Sequence, residues 1–144
     1  MSAGRYFSEA ERLKFALGRS VSPINQELII KLLSSSIYDR HLRTIRRQLE
    51  LQAIKLVNHF NQYFPETTLT TIPKGGYSVW TQLESDRDMA LFYKTCERFG
   101  VSFTLGHPFS FTNTYYHNFR TVFSSHLTPE TFEAIEKIGN WMKN

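Results

Sequence analysis

Pro73-Lys74-Gly75-Gly76 runs directly into Tyr77-Ser78-Val79-Trp80-Thr81-Gln82-Leu83, a glycine turn opening an alternating strand. Pro73 removes a backbone donor, and Gly75 and Gly76 permit positive φ, so this pair is read as a structural turn. Tyr77, Val79, Thr81 and Leu83 then alternate with Ser78, Trp80 and Gln82, the period of a half-buried strand. Before this stretch the pattern is helical. After it, helix and strand alternate.

The first helix is expected over residues 5–17, with Ser8 as N-cap, Glu9 and Glu11 early, and Tyr6, Phe7, Ala10, Leu13 and Leu17 as its buried stripe. Gly18 suits a C-terminal cap, and Ser22 with Pro23 can start the next helix. Ile24, Leu28, Ile29, Leu32 and Leu33 hold helical spacing until three serines interrupt it. The longest helix follows over residues 37–63, its stripe being Leu42, Ile45, Leu49, Ala53, Leu56 and Phe60. Pro65 ends it, and the threonine-rich run 67–72 is β-prone. Asp86 is expected to open a helix that Gly100 stops after Phe99, with Met89, Leu91, Phe92, Cys96 and Phe99 on its buried side. Residues 101–105 read as a third strand, 106–118 as a loop with interleaved aromatics, and 119–124 as a fourth strand. Thr128 followed by Pro129 at the first helical position starts a last helix, whose stripe is Phe132, Ile135, Ile138 and Met142. No internal repeat or low-complexity segment interrupts the order.

The chain has 144 residues, 41% apolar and 21% charged, enough for one domain with a core and too apolar for disorder. Its one cysteine, Cys96, cannot form an internal disulfide and reads as a small buried thiol in a reducing, cytoplasmic setting. No apolar run has the length to span a bilayer, and the start lacks the apolar region of a secretory signal. The formal charge of +4 permits nucleic-acid contact without establishing it. Arg40, Arg43, Arg46 and Arg47 could follow a phosphate backbone, but Asp39 and Glu50 interrupt the run and no base-stacking aromatics accompany it, so a solvated helix face is the preferred reading. His41, His59, His107, His117 and His126 show no metal spacing, so no metal site is expected, and no phosphate loop is present.

Arg120 stands apart. It lies in an apolar, β-prone run, Asn118-Phe119-Arg120-Thr121-Val122-Phe123, where a charge is costly without a partner. Alternation puts Arg120, Val122 and Ser124 on one face and Phe119, Thr121 and Phe123 on the other. Three readings remain open: an edge arginine facing water, a pair with an internal carboxylate, or a guanidinium fork that grips an external carboxylate.

Taken together, Tyr38 to Arg47, Pro73 to Trp80, Arg98 to Phe109 and Asn118 to Glu130 resemble a known family. They look like the C-terminal part of fold-type I pyridoxal-phosphate aminotransferases, and most like the aminotransferase-like domain of MocR-type transcription regulators in the GntR superfamily. The resemblance runs from about Gly4 to the end. It implies an α/β fold in a two-layer α+β arrangement: a small, mostly antiparallel sheet of about four strands packed against helices and preceded by a long helix. Residues 1–144 would form one small C-terminal domain, with 1–36 as linker helices leading from a missing large domain. Arg120 matches the arginine that holds the substrate α-carboxylate, and Gly75 and Gly76 match a tight turn before a sheet strand.

The family's Schiff-base lysine, in a Ser-x-x-Lys stretch, has no counterpart here. Lys14, Lys31, Lys55, Lys74, Lys94, Lys137 and Lys143 all follow other residues at that spacing. The expectation is therefore a C-terminal fragment that is not catalytic alone, because transamination needs the lysine. Pyridoxal 5'-phosphate would belong to the parent protein and not to this chain, and an amino- or carboxylate-bearing ligand would meet Arg120 there. The resemblance further implies DNA binding only through a missing N-terminal winged helix, and a homodimer. A genuine aminotransferase parent and a free-standing basic binding module are the alternatives.

Overall fold

The computed structural model describes residues 4–18, 22–112, 114–123 and 127–143. The chain divides into two compact units, Met1–Thr44 and Ile45–Asn144.

In the first unit a 3-10 turn at Gly4–Tyr6 leads into α1 (Phe7–Gly18), and α2 (Pro23–Leu33) follows. Ser22 and Pro23 start α2 as expected, Pro23 sitting where a missing N–H leaves no bond unmade. Ser8 does not cap α1. The 3-10 turn already supplies the first bonded turn, which places Ser8 inside the helix. The expected stripe of α1 stays exposed throughout, for periodicity says which face is apolar and not what covers it. Gly18 is the last residue of α1, and the link at 19–21 falls outside the described residues.

α3 (Ser36–Tyr63) runs from the first unit into the second, and its stripe becomes buried along its length. Leu42, Ile45 and Leu49 are half-buried, while Ala53, Leu56 and Phe60 are buried. Arg40, Arg43, Arg46 and Arg47 are all exposed on this helix.

The second unit holds a four-stranded antiparallel sheet in the order β1-β2-β4-β3. The strands are β1 (Leu69–Thr70), β2 (Ser78–Gln82), β3 (Thr104–Leu105) and β4 (Asn118–Val122). β4 inserts between β2 and β3, so that Trp80 and Thr104 lie opposite Arg120 on its two sides. Of the two turn glycines only Gly76 is left-handed, at φ 83°, and one such residue suffices to swing the chain into β2. β3 is shorter than expected because Val101 still belongs to the end of the preceding helix, its N–H donating to Cys96 O at 3.0 Å.

That helix, α4 (Met89–Arg98), takes its cap two residues beyond Asp86. Residues 84–87 form a turn instead, closed by the Arg87 N–H to Glu84 O at 3.2 Å, and Asp88 becomes the cap by accepting from the Leu91 N–H at 3.0 Å. Gly100, left-handed at φ 77°, ends it as expected. The last helix, α5 (Pro129–Lys143), starts where Thr128 and Pro129 place it and buries Phe132, Ile135, Ile138 and Met142.

The buried residues of α3, α4 and α5 meet the inner face of the sheet in one core. Phe119 is its centre. Its ring lies 4.5 Å from Phe103, 5.4 Å from Phe92, 5.9 Å from Phe60 and 6.4 Å from Phe64. Edge-on and tilted aromatic pairs of this kind each add about 0.5–1.5 kcal/mol beyond the area they bury. His59 ties α3 to α5 by donating from Nε2 to Phe132 O at 2.9 Å.

Candidate functional site

Strand alternation on β4 divides its residues as the sequence reading expects. Phe119, Thr121 and Phe123 are buried on the core side, and Arg120 lies half-buried on the opposite side. Because directly opposed residues of an antiparallel pair share a face, Trp80, Arg120 and Thr104 form a row across the outer surface of the sheet.

The loop between β3 and β4 folds over this row. Its 3-10 turn at His107–Phe109 brings the Phe109 ring beneath the guanidinium, with Arg120 Cζ 5.1 Å from the ring centroid. Trp80 meets Phe109 edge to face at 5.7 Å and Tyr115 edge to face at 5.3 Å. Phe109 and Tyr115 nonetheless remain 48% and 40% exposed, so the aromatic surface beside the guanidinium is open to an incoming molecule.

Arg120 Nε is buried and makes no hydrogen bond among the described residues, and no carboxylate among them forms an ion pair with this side chain. Of the three readings, pairing with an internal carboxylate therefore gains no support from the described residues. The cation–π contact with Phe109 covers one side of the guanidinium. A hollow of about 250 Å³ adjoins the same residue, between Ser102, Thr104, Val122 and Thr131. Thr121, which also lines this hollow, has a buried Oγ1 with no hydrogen-bond partner among the described residues.

Sequence reading finds Arg120 but not the aromatic row. The available signal is Trp80, which occupies the outward phase of β2 together with Ser78 and Gln82. A large apolar residue on that phase marks a surface meant to be covered.

A cofactor of the pyridoxal-phosphate type requires a lysine amine for its aldehyde and a charged partner for its ring nitrogen. Trp80, Thr104, Phe109 and Tyr115 supply neither beside Arg120. These surroundings do not fit the cofactor itself, so no chemical step runs through it in this chain.

The other singled-out residues have structural places. Cys96 is buried, and burial pushes its thiol up to about 12, which leaves it protonated and unreactive at neutral pH. Tyr93 is likewise pushed up to about 12, first by burial, and donates from its hydroxyl to Asn118 O at 3.3 Å. Among the described residues no group of three or more His, Cys, Asp or Glu side chains could hold a metal ion. Gly75 and Gly76 border a second hollow of about 720 Å³, walled mainly by Leu49, Ala53, Val57 and Ile72. No described helix is long and apolar enough to cross a membrane.

No family model matches the chain. In sequence it is similar to HTH-type transcriptional regulators, including YjiR of Escherichia coli, with 25% identity over 96% of this chain and 30% of that protein. The chain thus spans about a third of the length of that relative. In fold it is similar to an archaeal alanine:glyoxylate aminotransferase, with a TM-score of 0.78 at 20% identity over 99% of this chain and 36% of the other. It is also similar to LysN, the α-aminoadipate aminotransferase of Thermus thermophilus, whose structure holds N-(5'-phosphopyridoxyl)-L-leucine. There the TM-score is 0.71 at 20% identity, covering 92% of this chain and 34% of that one. In sequence and fold together, the chain resembles the C-terminal aminotransferase-like domain of MocR-type transcription regulators.

Proposed function

We propose that this chain serves as the ligand-sensing C-terminal portion of a pyridoxal-phosphate-dependent transcription regulator, in which Arg120 holds the carboxylate of a small amino- or carboxylate-bearing ligand. The observation that carries this reading is the Arg120 guanidinium itself. It lies over the Phe109 ring, its Nε is buried, and no carboxylate among the described residues pairs with it. A guanidinium so placed is preorganised for an external carboxylate.

Alone, the chain would not catalyse transamination, because none of its lysines stands in the Ser-x-x-Lys pattern that takes the cofactor's aldehyde. The cofactor and the Schiff-base lysine would belong to another portion of the parent, to which the helices of residues 1–36 lead. DNA contact would come from a winged helix, and the parent would act as a cytoplasmic homodimer. The exposed Arg40 to Arg47 face needs no ligand in this reading.

In the full-length parent, Arg120→Lys keeps the charge and loses the fork. Affinity for the carboxylate ligand is expected to fall ten-fold or more, on the order of 1.4 kcal/mol, by isothermal titration. Unchanged affinity would remove Arg120 from the site.

The fold likeness to aminotransferases also supports a second reading, in which the parent is itself an aminotransferase and Arg120 binds substrate during turnover. The coding DNA upstream of Met1 separates the two. A frame encoding a winged helix and a Ser-x-x-Lys segment means a regulator, and the lysine segment without the winged helix means an enzyme.

A further inference from the structure

The geometry points to a definite class of ligand for this site: a monocarboxylate carrying an aromatic ring, its carboxylate on Arg120 and its ring against Trp80, Phe109 and Tyr115. The inference rests on the carboxylate reading of Arg120 and adds to it what lies beyond the carboxyl carbon.

A carboxylate gripped by a guanidinium lies in the plane of the fork. Here Arg120 Cζ lies over the Phe109 ring, 5.1 Å from its centroid, so a carboxylate held by the guanidinium starts out beside an aromatic ring. Trp80 lies directly across the ladder from Arg120, and its ring is braced edge to face by Phe109 at 5.7 Å and by Tyr115 at 5.3 Å. Bracing on two sides holds Trp80 in one orientation before any ligand arrives, which lowers the ordering cost of binding. Three rings from two segments, β2 and the loop ahead of β4, thus converge beside one cation. An added aromatic ring would extend the edge-to-face pattern they already form. On the flank opposite Trp80, the residue across the ladder from Arg120 is Thr104, which is polar and uncharged. None of Trp80, Thr104, Phe109 and Tyr115 carries a charge to compensate a second carboxylate, so a dicarboxylate would leave one anion without a partner here.

The test compares two probes, 3-phenylpropionate and propionate, titrated into the 144-residue chain while the Arg120 Nε–H and Trp80 indole N–H signals are followed by NMR. The ring-bearing probe is expected to bind at least ten-fold tighter, and succinate no tighter than propionate. Trp80→Leu should bring the two monocarboxylates within about three-fold of each other while the Kd for propionate stays nearly constant. Tyr115→Leu, at a more exposed position, should narrow the ratio in the same direction and guards against a Trp80 variant that fails to fold. Equal affinities for the two probes in the unaltered chain, with both lost in Arg120→Gln, would overturn the aromatic preference and leave the carboxylate reading standing. Affinities that ignore Arg120→Gln would overturn both.

Discussion

Two neighbouring residues on β4 face opposite ways and do opposite work. Phe119 points inward as the meeting point of four rings, while Arg120 points outward with a buried Nε that has no partner among the described residues, so the core stiffens the strand that presents the cation. Packing restrains other single residues as closely. Gly139 of α5 lies against α3, where an added Cβ would stand 2.6 Å from Tyr63 O, a backbone atom that cannot swing aside. Gly139→Ala is expected to cost about 1–3 kcal/mol through forced separation of the two helices, read as a lower urea midpoint. No pattern in the sequence marks this glycine, because its role depends on a contact with a residue far away in the chain. Cys96 yields a pH prediction. Below about pH 9 the thiol is protonated whether the chain is folded or not; above that, the unfolded thiol ionises while burial holds the folded one up to about 12. Unfolding therefore gains free energy as the pH rises, and stability should fall between about pH 9 and 12, with Tyr93 adding to the fall at its upper end. Urea melts across that range check the slope, which Cys96→Ala should flatten.

At the scale of elements, helices are legible from periodicity and caps, and the differences gather at their starts. α3 and α5 lie within a residue or so of where apolar spacing and Pro129 put them, since both signals act over adjacent residues. The cap of α4 falls two residues beyond the expected one because Asp86 and Asp88 are equally good caps in isolation. The turn at 84–87 decides between them, and Arg87 secures that turn by pairing with Glu84 at 3.6 Å and donating to Met142 O at 3.2 Å. Asp88→Ala should accordingly cost about 1 kcal/mol of stability and Asp86→Ala close to nothing, a contrast that thermal melts of the two variants resolve. Strands fall in the expected order, but β1, β2 and β3 are shorter than the β-prone runs that contain them and β4 starts one residue early, at Asn118, because β-propensity does not register where pairing starts and stops.

For the whole molecule, the two units differ in how they are held. No described residue of α1 or α2 is buried, whereas the second unit has a continuous core. A chain lacking residues 1–33 is therefore expected to keep the cooperative melt of the sheet, its Tm moving by less than about 4 °C; a non-cooperative melt would show that the core needs those helices. What the sequence determined by itself was local: the helical periods, the glycine turn, the strand alternation that separates Phe119 from Arg120, and the motifs that carry the family resemblance. These depend on residues within a few positions of one another. Only the tertiary structure decided that β4 enters between β2 and β3, and hence that Trp80, Phe109 and Tyr115 gather beside Arg120. Strand order and loop placement are set by which surfaces pack together across long chain separations, and the spacing of residues along the chain does not encode that choice.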